Sequence, residues 1–232
     1  MATFLQKRLV PLFAKHRLLI IKLFEVAEIS TIFIWGAGGY MLFNDFSGNF
    51  AWLYTVGTWF GSGALTLYIL TLLPGIIKRL QFLPEYTMPI ARILTIFRRH
   101  LGILMFLLVF VHLGFVFLLP RGLTGQLAVS KLNLEPGHYF GITAFIMLFP
   151  LWITSNDISF KLLGQIRNTI HRLTYVILFI LFMHVSFYNR RWAVVMGVLF
   201  AVLILSLVKK YRSSRAVQQQ TTQSISEETV SS

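Results

Sequence analysis

Apolar residues run along this chain in six stretches separated by shorter polar or charged connections, at about 18–43, 52–76, 99–119, 139–154, 168–188 and 192–208. Most reach the roughly 18–20 apolar residues that cross about 30 Å of hydrocarbon. The fourth is shorter and extends toward Ser155. An open strand leaves its backbone unsatisfied in lipid, so each stretch is expected to be a helix. The pattern therefore predicts an all-α membrane protein, a six-helix transmembrane bundle.

Composition supports one membrane-embedded domain. The chain has 232 residues, 56% of them hydrophobic, and a mean hydropathy of +0.72. Residues 18–210 hold the bundle, 1–17 form an N-terminal cytoplasmic or interfacial segment, and 211–232 read as a disordered cytoplasmic tail rich in Gln, Ser and Thr. Lys7, Arg8, Lys15 and Arg17 precede a long apolar run without a small-residue cleavage site, so no cleavable leader is expected.

The net charge of +13 could suggest nucleic acid, but the basic residues cluster at the ends of apolar stretches. The N-terminus, the 77–99 connection, the 155–172 region and the C-terminus, together with Lys22 near the start of the first stretch, hold 17 of the 21 Lys and Arg residues. The other connections hold only Arg121, Lys131, Arg190 and Arg191. The positive-inside rule places both termini in the cytoplasm, and the lipid bilayer rather than nucleic acid is the expected partner.

Histidine is costly inside a bilayer and commonly functional there. His112 lies 13 residues into the third stretch, and His184 lies 13 residues beyond His171, which stands near the start of the fifth. At about 1.5 Å per residue, His112 and His184 reach similar depth, roughly 20 Å from the inner end. Haem iron with two axial imidazoles needs facing side chains at one level. His171 and His100 are the candidates for an inner level. On an ideal straight helix, however, His171 and His184 point roughly 140° apart, and the step from His100 to His112 is about 120° off register. The chain has no cysteine, which excludes disulfides, thiolate-held clusters and covalent haem attachment.

Each feature also has a plainer explanation. His112 and His184 could form interhelical hydrogen bonds. His171 and His100 stand beside arginines at the membrane edge, where head-group contact suffices. His138 and His16 read as interfacial. Glu25 and Glu28 could relay protons, while Lys22–Glu25 matches an ordinary helical pair. Gly36, Gly38 and Gly39 read as helix packing, because no βαβ unit surrounds them. Gly102 and Gly141 suit close approach of a cofactor or of a neighbouring helix. Arg98, Arg99 and Arg172 could bind haem propionates or an anionic flavin, and topology explains them equally well.

Three segments carry a family resemblance: RRHLGILMFLLVFVHL (98–113), HYFGITAFIMLFPLWITS (138–155) and IRNTIHRLTYVILFILFMHVSF (166–187). From about residue 57 to 188 the chain resembles the ferric reductase-like transmembrane family. It is most similar to the stand-alone bacterial branch, the haem-binding membrane subunits of periplasmic methionine sulfoxide reductase systems (MsrQ type). The resemblance implies a six-helix bundle with b-type haem, one or two per chain. It matches His112 and His184 to the family's outer pair and His171 to its inner ligand. The inner position on the third helix of related oxidases and ferric reductases falls on Arg98, and His100 is offset by two residues.

The resemblance further implies a multi-pass protein of a bacterial inner membrane and allows a bound flavin mononucleotide (FMN). About 24 residues follow the last stretch, too few for a flavin and nicotinamide domain. A cytoplasmic flavin reductase or membrane quinol is therefore the expected electron donor, and a soluble redox protein on the outer side the expected acceptor. Two alternatives are a ferric or oxygen reductase acting at the outer haem, and a haem-free proton or ion conductor.

Overall fold

A computed structural model describes residues 10–44, 51–123, 134–155 and 166–231. Among these, all regular secondary structure is helical. A short helix α1 (Val10–Lys15) leads into α2 (Arg17–Asn44). There follow α3 (Ala51–Leu80) and α4 (Pro84–Leu113). A π-helical turn (Gly114–Leu118) carries α4 into α5 (Leu119–Leu123). The remaining helices are α6 (Pro136–Ile153), α7 (Ile166–Tyr188) and α8 (Arg190–Ser231).

Helices thus stand where the sequence places its six apolar stretches. Among the described residues four segments are long and apolar enough to cross a membrane: Ala51–Leu80, Pro84–Gly122, Pro136–Ile153 and Arg190–Ser213. In α7 the apolar part is the shorter Arg172–Tyr188. Helix α2 carries Lys22, Glu25 and Glu28 along its first half, which dilutes its apolar run. Residues 211–231, expected as a disordered tail, continue the backbone helix of α8. That stretch contains neither Pro nor Gly, the two residues that most oppose helix. Residues 1–9, with Lys7 and Arg8, and Lys131 lie outside the described residues.

Five helices close a ring. Helix α4 packs on α3 and α6, α6 on α7, α7 on α8, and α8 on α3, while α2 lies outside against α4. The α3–α4 corner is tight because Gln81 and Leu83 adopt left-handed backbone (φ 49° and 45°) and Pro84 starts the next helix. Inside the ring Tyr68, Leu72, Met105, Phe106, Leu148, Ile177, Leu178 and Met196 form one buried core. In lipid such packing holds helices through close contact rather than water exclusion.

Polar bonds tie the ring where Tyr68 donates its hydroxyl hydrogen to the Thr174 carbonyl at 2.5 Å. Arg79, a topology charge by sequence, donates instead to the Tyr175 hydroxyl and, at 3.2 Å, to Ser206 Oγ. It therefore joins α3 to both α7 and α8. Of the three glycines in α2, only Gly38 is closely packed, against the Phe115 ring of the π-helical turn.

Candidate functional site

Helices α4 and α7 face each other across the ring, and each presents one histidine to the space between them. The ring centres of His112 and His184 are 6.4 Å apart, with their planes at 76°. His112 donates its Nδ1–H to the Gly57 carbonyl of α3 at 2.8 Å. His184 donates its Nδ1–H to the Gly137 carbonyl of α6, also at 2.8 Å. A carbonyl can only accept, so both tautomers are set and each Nε2 keeps its lone pair.

One turn along from each accepting glycine stands a second glycine that makes room for the ring. A Cβ at Gly61 would lie 2.7 Å from His112 Nδ1, and one at Gly141 would lie 2.8 Å from His184 Cε1. The same device therefore occurs twice, as G57-T-W-F-G61 on α3 and G137-H-Y-F-G141 on α6. Small residues at this spacing let neighbouring helices approach closely. Here the approach also seats an imidazole against backbone.

The two rings border a cavity of about 470 Å³. Its walls are mainly apolar, including Leu65, Met105, Val109, Phe145 and Leu148. Tyr54, Arg121, Glu135, His138, Tyr188 and Asn189 contribute polar groups. The π-helical turn follows His112 directly and supplies Phe117 to the wall. Such turns recur beside functional sites because they reset the facing of a helix.

The donor set fits a haem-type cofactor. Two imidazoles bonded at about 2.0–2.1 Å on opposite sides of one metal have ring centres a little over 6 Å apart. The separation of 6.4 Å matches that arrangement. Among the described residues no group of three or more His, Cys, Asp or Glu is placed to hold a metal. A bare ion would have too few protein ligands here, whereas a macrocycle supplies the other four and leaves two axial positions for imidazole.

The family model for the ferric reductase-like transmembrane component matches residues 60–182. The chain belongs to the ferric reductase-like transmembrane family. It is similar to proteins named protein-methionine-sulfoxide reductase heme-binding subunit MsrQ. The Brucella anthropi protein is 29% identical over 166 residues, 70% of each chain. The Agrobacterium fabrum protein is 32% identical over 120 residues, 51% of this chain and 54% of its own. The Rhizobium meliloti protein is 38% identical over 81 residues, 35% of this chain and 38% of its own. No solved structure matches.

The other candidate residues of this ferric reductase-like chain are placed differently. His100 stacks on Phe24 of α2, with ring centres 5.8 Å apart, and its Nδ1 is 3.8 Å from Glu28 Oε1. It therefore faces the outer helix α2 rather than the ring interior. The His171 side chain lies outside the described residues, although its backbone belongs to α7. Arg98, Arg99 and Arg172 have exposed side chains and do not line the cavity. Of the two glycines open to either reading, Gly141 meets His184, while Gly102 has open space.

Three elements of the site escape a reading along the chain. Gly57, Gly61 and Gly137 are visible in it only as two G-x-x-x-G pairs on the helices preceding and following α4. Arg121 reads as a connection charge and His138 as interfacial, yet both line the cavity.

Proposed function

We propose that this chain is a membrane electron carrier that holds b-type haem between His112 and His184. The observation that carries this is the pairing of the two rings at 6.4 Å, each with its Nδ1–H bonded to a glycine carbonyl. When bound, haem supplies a one-electron couple inside a low-dielectric wall. His112 and His184 would hold it through their Nε2 atoms, while Gly57 and Gly137 set their tautomers and Gly61 and Gly141 admit the rings. The apolar wall excludes water, which tunes the potential together with the ligands.

The proposed topology is six spans, α2, α3, α4, α6, α7 and α8, with both termini in the cytoplasm of a bacterial inner membrane. A cytoplasmic flavin reductase or membrane quinol donates electrons. A soluble outer-side reductase of oxidised methionine accepts them, by analogy with the names of the MsrQ relatives. His171 is assigned to an inner level for a second haem, and a bound FMN is allowed without a residue assigned to it.

The test is a dithionite-reduced minus oxidised visible spectrum with a haemochrome count, on full-length protein from haem-supplemented cells. A b-type spectrum that His112→Ala and His184→Ala both abolish, or reduce by one haem per chain, supports the assignment. Colourless wild-type protein overturns it and favours the proton- or ion-conducting alternative.

A further inference from the structure

The cavity beside His112 and His184 is apolar along most of its wall and polar where four helix ends meet. Tyr54 lies near the start of α3, Glu135 and His138 at the start of α6, and Tyr188 at the end of α7. Arg121 stands on α5, nine residues beyond His112 and about 13 Å further along the axis. Among the described residues lining the cavity, Arg121 is the one Lys or Arg. Its guanidinium sits 4.2 Å from the centre of the Phe117 ring, which fixes its direction.

His138 is wedged between Phe117 and Tyr188, at ring-centre distances of 5.5 and 5.7 Å. Its Nδ1 is buried and has no hydrogen-bond partner among the described residues. A buried ring nitrogen without a partner is costly, so its surroundings point to a ligand that would satisfy it. Glu135 stands at the same end of the cavity, within electrostatic reach of Tyr188 and His138. The start of α6 adds the partial positive charge of a helix N-terminus.

Haem is an apolar disc with two carboxylates on one edge, and the cavity has the same division. We propose that Arg121 and His138 form a carboxylate-binding site at the outer mouth, which receives the haem propionates. The inference rests on the haem assignment above. The site sets the in-plane orientation of the group, with its carboxylate edge turned toward α5 and the start of α6. Arg98, Arg99 and Arg172, the arginines that sequence offers for this role, do not line the cavity.

The test compares haemin with haemin dimethyl ester, which has the same macrocycle without the two charges. Full-length protein expressed under haem limitation is titrated with each in detergent and followed by absorbance. Wild type is expected to bind haemin at least about tenfold more tightly than the ester, the scale of one charge-assisted hydrogen bond. Arg121→Gln and His138→Phe are expected to lose most of that preference while still binding the ester. Arg121→Lys retains part of it, and Arg190→Gln, an exposed cation outside the cavity, retains it fully. Equal binding of the two ligands by wild type, or an undiminished preference in Arg121→Gln, overturns the proposal. Failure of wild type to bind either ligand overturns the haem assignment itself.

Discussion

His112 and His184 stand 6.4 Å apart on facing helices, and each imidazole is seated on a pair of glycines belonging to a third and a fourth helix. The geometry of the pair is therefore a property of four helices together. Helix α3 sets the position of a histidine on α4, and α6 sets that of a histidine on α7. Changes that touch neither histidine should still alter the site.

Gly61→Ala tests this directly. The added methyl would lie 2.7 Å from His112 Nδ1, the atom that is bonded to the Gly57 carbonyl, so the ring cannot back away without straining that bond. Relieving the clash costs about 1–3 kcal/mol and moves the ring. Haem per chain, measured by haemochrome assay, should fall at least severalfold. Gly39→Ala, with nothing within 4 Å, should keep full haem and gain up to about 1 kcal/mol from helix propensity. Equal haem content in the two variants would remove the positioning role.

The planes of the two imidazoles are near-perpendicular, at 76°. Crossed axial ligands leave the iron orbitals nearly degenerate, which gives a strongly anisotropic low-spin ferric signal. Electron paramagnetic resonance of the oxidised protein should show one large g value rather than a rhombic triplet. A rhombic spectrum for the haem lost in His112→Ala would show that the rings lie parallel when loaded.

Arg79 holds three helices at once through the Tyr175 hydroxyl and Ser206. Arg79→Leu should destabilise the bundle by about 1–3 kcal/mol, the value of hydrogen bonds to a charged donor. Tyr175→Phe removes part of the same network, so the double variant should cost less than the two single effects combined. Thermal unfolding followed by tryptophan fluorescence gives all three values. Strict additivity would mean that the two side chains act separately.

The chain has no cysteine, so single cysteines report topology without background. With six spans, His16→Cys and Ser213→Cys should both react with an impermeant maleimide only in inside-out vesicles. Asn189→Cys, in the α7–α8 corner, should react in right-side-out cells. Opposite sidedness of positions 16 and 213 would show that α2 does not cross the membrane.

The two histidine steps show what a chain can disclose. The His112–His184 match in depth was legible, because rise along a helix is a fixed length per residue. The idea of His100 beneath His112 met the 12-residue step, which turns it about 120° away. The structure places His100 against Phe24 and Glu28 of α2 accordingly. The tail at 211–232 is a different case, since its backbone continues α8 as far as Ser231. Polar composition argues that a segment lacks a core, but does not by itself break a helix that is already propagating.

Local chemistry determined the membrane character, the helix positions, the absence of cysteine chemistry and the shared depth of His112 and His184. Each depends only on hydropathy, residue type or rise per residue. Tertiary packing decided which helices are neighbours and how each is turned about its own axis. These choices seat the histidines on Gly57, Gly61, Gly137 and Gly141, and bring Arg121 and His138 to the cavity while Arg98, Arg99 and Arg172 stay outside it. Such rotations are set by contacts between segments far apart in the chain, so no window of sequence contains them.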